Sequence, residues 1–105
     1  MCINSYKLKA NTNVETLIDD GFRYHANAKK FTKFITLKNS IVLILRVSLV
    51  DFSLNIEIID DCFCQPYHPF YLYQNGEIKM FNFLKEVAKK YNKEMDKINS
   101  FELIE

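Results

Sequence analysis

"FTKFITLKNSIVLILRVSLVDFSLNIEIID", residues 31–60, decides the fold. Two short polar breaks, "KNS" and "VD", divide it into three apolar stretches. In the first, Phe31, Ile35 and Leu37 alternate with Thr32, Thr36 and Lys38, the period of two that marks a half-buried strand. The middle stretch, "IVLILRVSLV", is too apolar for a sheet edge and is expected to be the central strand. In the third, Phe52, Leu54, Ile56 and Ile58 are expected to face inward and Asn55 and Glu57 outward. Breaks this short join antiparallel neighbours, so the three strands should form a meander. The other face carries Thr32, Phe34, Thr36, Arg46, Ser48, Asn55 and Glu57, a mixed surface open to solvent or to a partner.

The flanks supply cover for the apolar face. "NTNVETLIDDGF" reads as a short helix with Thr12 or Asn13 as N-cap, Gly21 as its stop, and Val14, Leu17 and Ile18 buried. After a turn at Asn75-Gly76, residues Phe81, Leu84, Ala88, Tyr91, Met95 and Ile98 recur at steps of three and four. With Val87 they make one helical face, opposed by Lys85, Lys89, Lys93 and Glu94. The expectation is an α+β fold: a three- to four-stranded antiparallel sheet with a short N-terminal helix and a long C-terminal helix on one face. At 105 residues, with 49% hydrophobic, the chain is expected to form a single domain, 1–105, with one core.

Composition excludes several functions. Two glycines (Gly21 and Gly76) cannot build a phosphate-cradling loop. The longest apolar run is interrupted by Arg46 and Ser48, so no membrane span is expected. The N-terminus lacks a signal-peptide layout, and three cysteines without one imply a reducing, cytoplasmic setting. Net charge is +1, but residues 1–50 carry eight Lys/Arg against three Asp/Glu, and residues 51–105 six against ten. No domain-wide basic excess exists, so direct nucleic-acid binding is not expected.

Chemistry concentrates in "DDCFCQPYHPFY", residues 60–71. Cys62 and Cys64 point to the same side of an extended backbone, about 6.6 Å apart at Cα. His68 follows within reach, and this soft donor set suits a structural zinc. A fourth ligand would come from Cys2, His25 or Asp61, Cys2 being preferred because it would tie the N-terminus to the loop. The alternative is that both thiols are small buried hydrophobes. A thiol nucleophile with a histidine base has no signature around it. Asp60 or Asp61 with Glu77-Ile78-Lys79 resembles the D…E-x-K pattern of restriction-endonuclease-like folds, implying a magnesium-dependent nuclease, although there that motif lies on a strand. Phe63, Tyr67, Phe70, Tyr71 and Tyr73, stiffened by two prolines, form a candidate protein-binding surface; the competing reading closes the core with them.

The short chain, with "LIDDGF" opening the sheet and "DDCFCQPYHPFY" closing it, resembles small accessory proteins of phages and mobile elements of low-GC bacteria, among them anti-CRISPR proteins. That resemblance implies a non-enzymatic binding protein that inhibits or modulates a larger protein partner, a Cas effector in the leading version. The alternatives are a metal-dependent nuclease-like enzyme and a DNA-binding or toxin–antitoxin regulator using Lys29 and Lys30.

Overall fold

The structure, a computed structural model, describes residues 3–104. In chain order its elements are β1 (Tyr6–Leu8), α1 (Val14–Asp19), β2 (Arg23–His25), β3 (Lys30–Lys38), β4 (Ile41–Ser48), β5 (Leu54–Asp60), β6 (Gln65–Pro66), α2 (His68–Gln74), α3 (Asn82–Asp96) and β7 (Phe101–Leu103). The meander of β3, β4 and β5 is present, with Ile35 opposite Leu43 and Leu43 opposite Ile58. Asn39, at φ 51°, turns the chain between β3 and β4, a left-handed conformation that asparagine tolerates.

The sheet is larger than expected. β2 and β6 extend it to five antiparallel strands in the order β2-β3-β4-β5-β6, and β1 pairs with β7 in a separate two-stranded sheet. Strands of two or three residues cannot display a period, which is why the sequence conceals them.

One face of the large sheet holds the core. Phe31, Leu43, Leu45, Val47 and Ile58 are almost fully buried with Leu84, Val87, Tyr91 and Met95 of α3 and Leu17 of α1. Each such side chain contributes roughly 1.5–3 kcal/mol through burial. The stripe on α3 is as the spacing requires, with two adjustments at its ends. Phe81 is the N-cap and 43% exposed, while Ile98 is buried just past the C-cap at Lys97.

Three other expectations are corrected. Asn13 caps α1, its Oδ1 accepting from Thr16 N–H at 2.9 Å, yet of the expected stripe only Leu17 is buried. Val14 and Ile18 stay 41% and 55% exposed, because a helix of six residues turns only one position squarely inward. Phe52, expected to face inward, sits in the connection before β5 at φ 54° and is exposed. Between Thr36 and Lys38 the β3–β4 register shifts by a bulge. Leu37 is buried there, and Lys38 turns to α3, its Nζ 3.1 Å from Glu86 and 5.6 Å from the Phe83 ring centroid. Strict alternation had placed Lys38 on the opposite side.

Candidate functional site

The segment from Asp60 to Gln74 is more ordered by its own chain than a recognition loop would be. Asp60 Oδ1 accepts from Cys62 N–H at 3.1 Å and Ser40 Oγ–H at 2.9 Å, while Asp61 N–H donates to Ser40 C=O at 2.8 Å. These bonds close a turn in which Cys64 adopts φ 51°. Pro66 then lies in the edge strand β6, where its missing N–H costs nothing. Pro69 stands in the first turn of α2, where a helix leaves its N–H groups unbonded in any case. The two prolines therefore shape a strand end and a helix start, where the sequence suggested a stiff loop.

That helix turns most of the aromatic row inward. Tyr67 and Phe70 are 8% and 3% exposed, and Phe70 packs edge-on against Tyr91 with centroids 5.2 Å apart. Tyr67 meets Phe83 at 6.2 Å. Tyr71 is half-buried, and its hydroxyl accepts from Ile58 N–H at 2.8 Å. Burial pushes the phenols of Tyr67 and Tyr71 above their ordinary range, the Ile58 N–H partly offsetting this at Tyr71. Tyr73 is also half-buried. Of the five aromatics expected to meet a partner, Phe63 alone is fully exposed, at 69%. This is a correction: Tyr67 and Phe70 belong to the core.

Of the expected metal ligands, Cys62, Cys64 and His68 all stand at exposed positions. Cys62 and Cys64 are exposed free thiols in the turn, and Cys64 Sγ–H donates weakly to Asp61 C=O at 3.8 Å. His68 is exposed at the first residue of α2. His25 lies in β2, its Nε2 sharing a 2.6 Å hydrogen bond with Thr32 Oγ1. Cys2 lies outside the described residues. Among the described residues no three His, Cys, Asp or Glu side chains are gathered as a metal would need. The nuclease-like residues are likewise apart in role: Asp60 closes its turn, and Glu77 N–H caps α2 by donating to Leu72 C=O at 2.8 Å.

The open face of the sheet is the better-built surface. Phe34, Thr36 and Asn55 are exposed on it, and Phe34 is 64% exposed although it stands opposite Ile44, itself only 5% exposed. Arg46 Nη1 donates to Glu57 Oε2 at 2.7 Å and reaches Asn55 Oδ1 at 3.5 Å. Beside them a shallow concavity of about 630 Å³ is lined by Tyr24, His25, Lys30, Thr32, Phe34 and Arg46, among others. Arg23 is paired with Thr32 on the same side. The positive charge of residues 1–50 is thus partly gathered around one aromatic ring, and the acid on this face, Glu57, is engaged by Arg46. The sequence showed this face but not its rim, since β2, "RYH", is too short to be seen.

Comparison with known proteins bears on the fold alone. No protein-family model matches the sequence, and no curated protein does. A crystal structure of a DUF1831-family protein (lp2179) from Lactobacillus plantarum, at 1.20 Å resolution, superposes with a TM-score of 0.64. The match covers 94% of this chain and 86% of that one at 13% identity, a likeness of architecture. Among the described residues no helix is long and apolar enough to cross a membrane.

Proposed function

We propose that the chain is a non-enzymatic binding protein that holds a larger protein partner against the open face of its sheet and thereby modulates it. The observation that carries this reading is Phe34: a phenylalanine 64% exposed on β3, in a concavity that Arg46 and Lys30 also line. An aromatic ring flanked by arginine has the composition of an interface hot spot. The cationic rim favours an acidic surface on the partner, and steers its approach. A Cas effector, the partner class implied by the resemblance to anti-CRISPR proteins, is the first to test.

Calorimetric titration of a Cas effector with wild type, Phe34→Ala and Arg46→Glu separates the parts of the proposal. Phe34→Ala should weaken binding by roughly tenfold or more while leaving thermal stability unchanged. Equal binding by all three proteins rejects the surface. Absence of binding by every effector tried rejects the anti-CRISPR version.

A second reading rests on the same concavity. Phe34 offers a stacking face in the concavity that Lys30 and Arg46 also line, a combination used for single-stranded nucleic acid. Oligonucleotide binding that falls steeply with salt and is lost in Lys29→Ala/Lys30→Ala would favour it.

A further inference from the structure

The outer edge of β5 carries a row of unpaired backbone groups next to a cavity of side-chain size. The register of β4 on β5, with Arg46 opposite Asn55, is extended at both ends by Ser48 N–H donating to Ser53 C=O (3.1 Å) and Asp61 N–H to Ser40 C=O (2.8 Å). In an antiparallel ladder bonded pairs alternate with non-bonded ones. Asn55, Glu57 and Ile59 therefore bond to β4, and Leu54, Ile56 and Ile58 direct their N–H and C=O groups away from it.

At Ile58 both groups are taken, the C=O by Tyr67 N–H at 2.9 Å and the N–H by the Tyr71 hydroxyl at 2.8 Å. β6 runs opposite only Ile59 and Asp60 and does not reach Leu54 or Ile56. At Leu54 and Ile56 the outward groups have no partner among the described residues. Alongside lies a groove of about 230 Å³ bordered by Leu54, Ile56, Phe70, Tyr71, Gln74 and Tyr91. Drug-sized ligands need upward of ~300 Å³, so this volume suits one apolar side chain.

We infer that the Leu54–Ile56 edge is a strand-addition site for an extended, uncharged peptide segment of a partner, which places one aromatic or branched apolar side chain in the adjoining groove. Only an extended backbone satisfies N–H and C=O groups spaced two residues apart, and the neighbouring pocket reads the side chain, as in other β-augmentation sites. The polar residues beside the edge, Asn55 and Gln74, are uncharged, and Glu57 is occupied by Arg46. An uncharged segment therefore meets no penalty there. This edge is distinct from the Phe34 face.

A phage-displayed library of random peptides of about seven residues, panned on the intact protein, supplies the probe. Recovered peptides should carry alternate apolar residues and slow amide exchange at Leu54 and Ile56 by roughly tenfold. Ile56→Pro removes an outward N–H without touching the β4 ladder, and should abolish binding. Gln74→Trp, which fills the groove, gives the same readout if the proline variant does not fold. Phe34→Ala should bind the peptides normally. Recovery of no specific peptide, protection elsewhere, or binding unaffected by Gln74→Trp overturns the inference. So does slowed exchange at Leu54 and Ile56 in the concentrated protein alone, which would mean that two copies pair through this edge.

Discussion

Asp20 and Ser100 are joined by two hydrogen bonds across 80 residues of chain, Ser100 N–H and Oγ–H both donating to Asp20 Oδ2 at 2.9 and 2.5 Å. Asp20 Oδ1 accepts from Asn99 N–H at 3.0 Å. One carboxylate at the end of α1 therefore fixes the turn that leads into β7. Ser100 is fully buried, so removing the acceptor strands its donors away from water. Asp20→Ala should cost about 2–4 kcal/mol and Asp20→Asn less. Urea unfolding checks this, and an unchanged midpoint for Asp20→Ala would refute it.

Alkaline pH should weaken the fold through Tyr6. Burial first, and then its 2.7 Å hydrogen bond to Asp96 Oδ1, raise its pKa from the ordinary 10 to about 12; burial also raises Tyr91. The neutral phenol is favoured in the folded state, so its contribution is complete below pH 10 and is lost as pH climbs towards 12. Tyr6→Phe should be less stable by about 1 kcal/mol at neutral pH. The gap between the two proteins should close across the alkaline window. A gap that holds constant there would contradict the assignment.

The two faces of the sheet should respond oppositely to truncation. Leu43→Ala opens a cavity in a fully buried site and should cost about 2–5 kcal/mol. Phe34→Ala on the open face should change stability by no more than about 0.5 kcal/mol. Thermal melts of the two variants test the contrast. A large loss with Phe34→Ala would show that its ring supports the sheet.

Two turns should distinguish themselves by their tolerance of glycine. Asn39 and Cys64 both have φ 51°. A left-handed conformation costs an ordinary residue roughly 1–2 kcal/mol, and asparagine is among the residues that tolerate it. Cys64→Gly should therefore stabilise the protein slightly, Asn39→Gly should be near neutral, and Asn39→Val should destabilise it. Denaturant midpoints in that order support the turn geometry; stabilisation by Asn39→Val would not.

The legible parts of this fold were those with long periodic runs. Alternation along residues 31–60 exposed the meander, and the three-and-four spacing from Leu84 to Met95 exposed α3. Short elements stayed hidden for physical reasons. β1 and β7 are three residues each and stabilise one another only across the whole chain. The α2 segment was masked because Pro66 and Pro69 read as breakers, although Pro69 before Phe70 is also how a helix can begin. That one ambiguity decided the fate of the aromatic row: once α2 is helical, Tyr67 and Phe70 turn to the core and Phe63 stays outside. The open face could be read from Thr32, Phe34, Arg46 and Glu57, but its rim from β2 could not.

The pairing of Tyr6 with Leu103 also orders events in time. The partners are 97 residues apart, from position 6 to position 103. Bringing such distant segments together carries a closure entropy that the adjacent strands of the meander largely avoid. The meander is thus placed to form early, with the β1–β7 rungs arriving after the core has drawn the two ends of the chain together. The same rungs should open first in native-state hydrogen exchange, because three residues hold them and the sheet behind them can stand while they part.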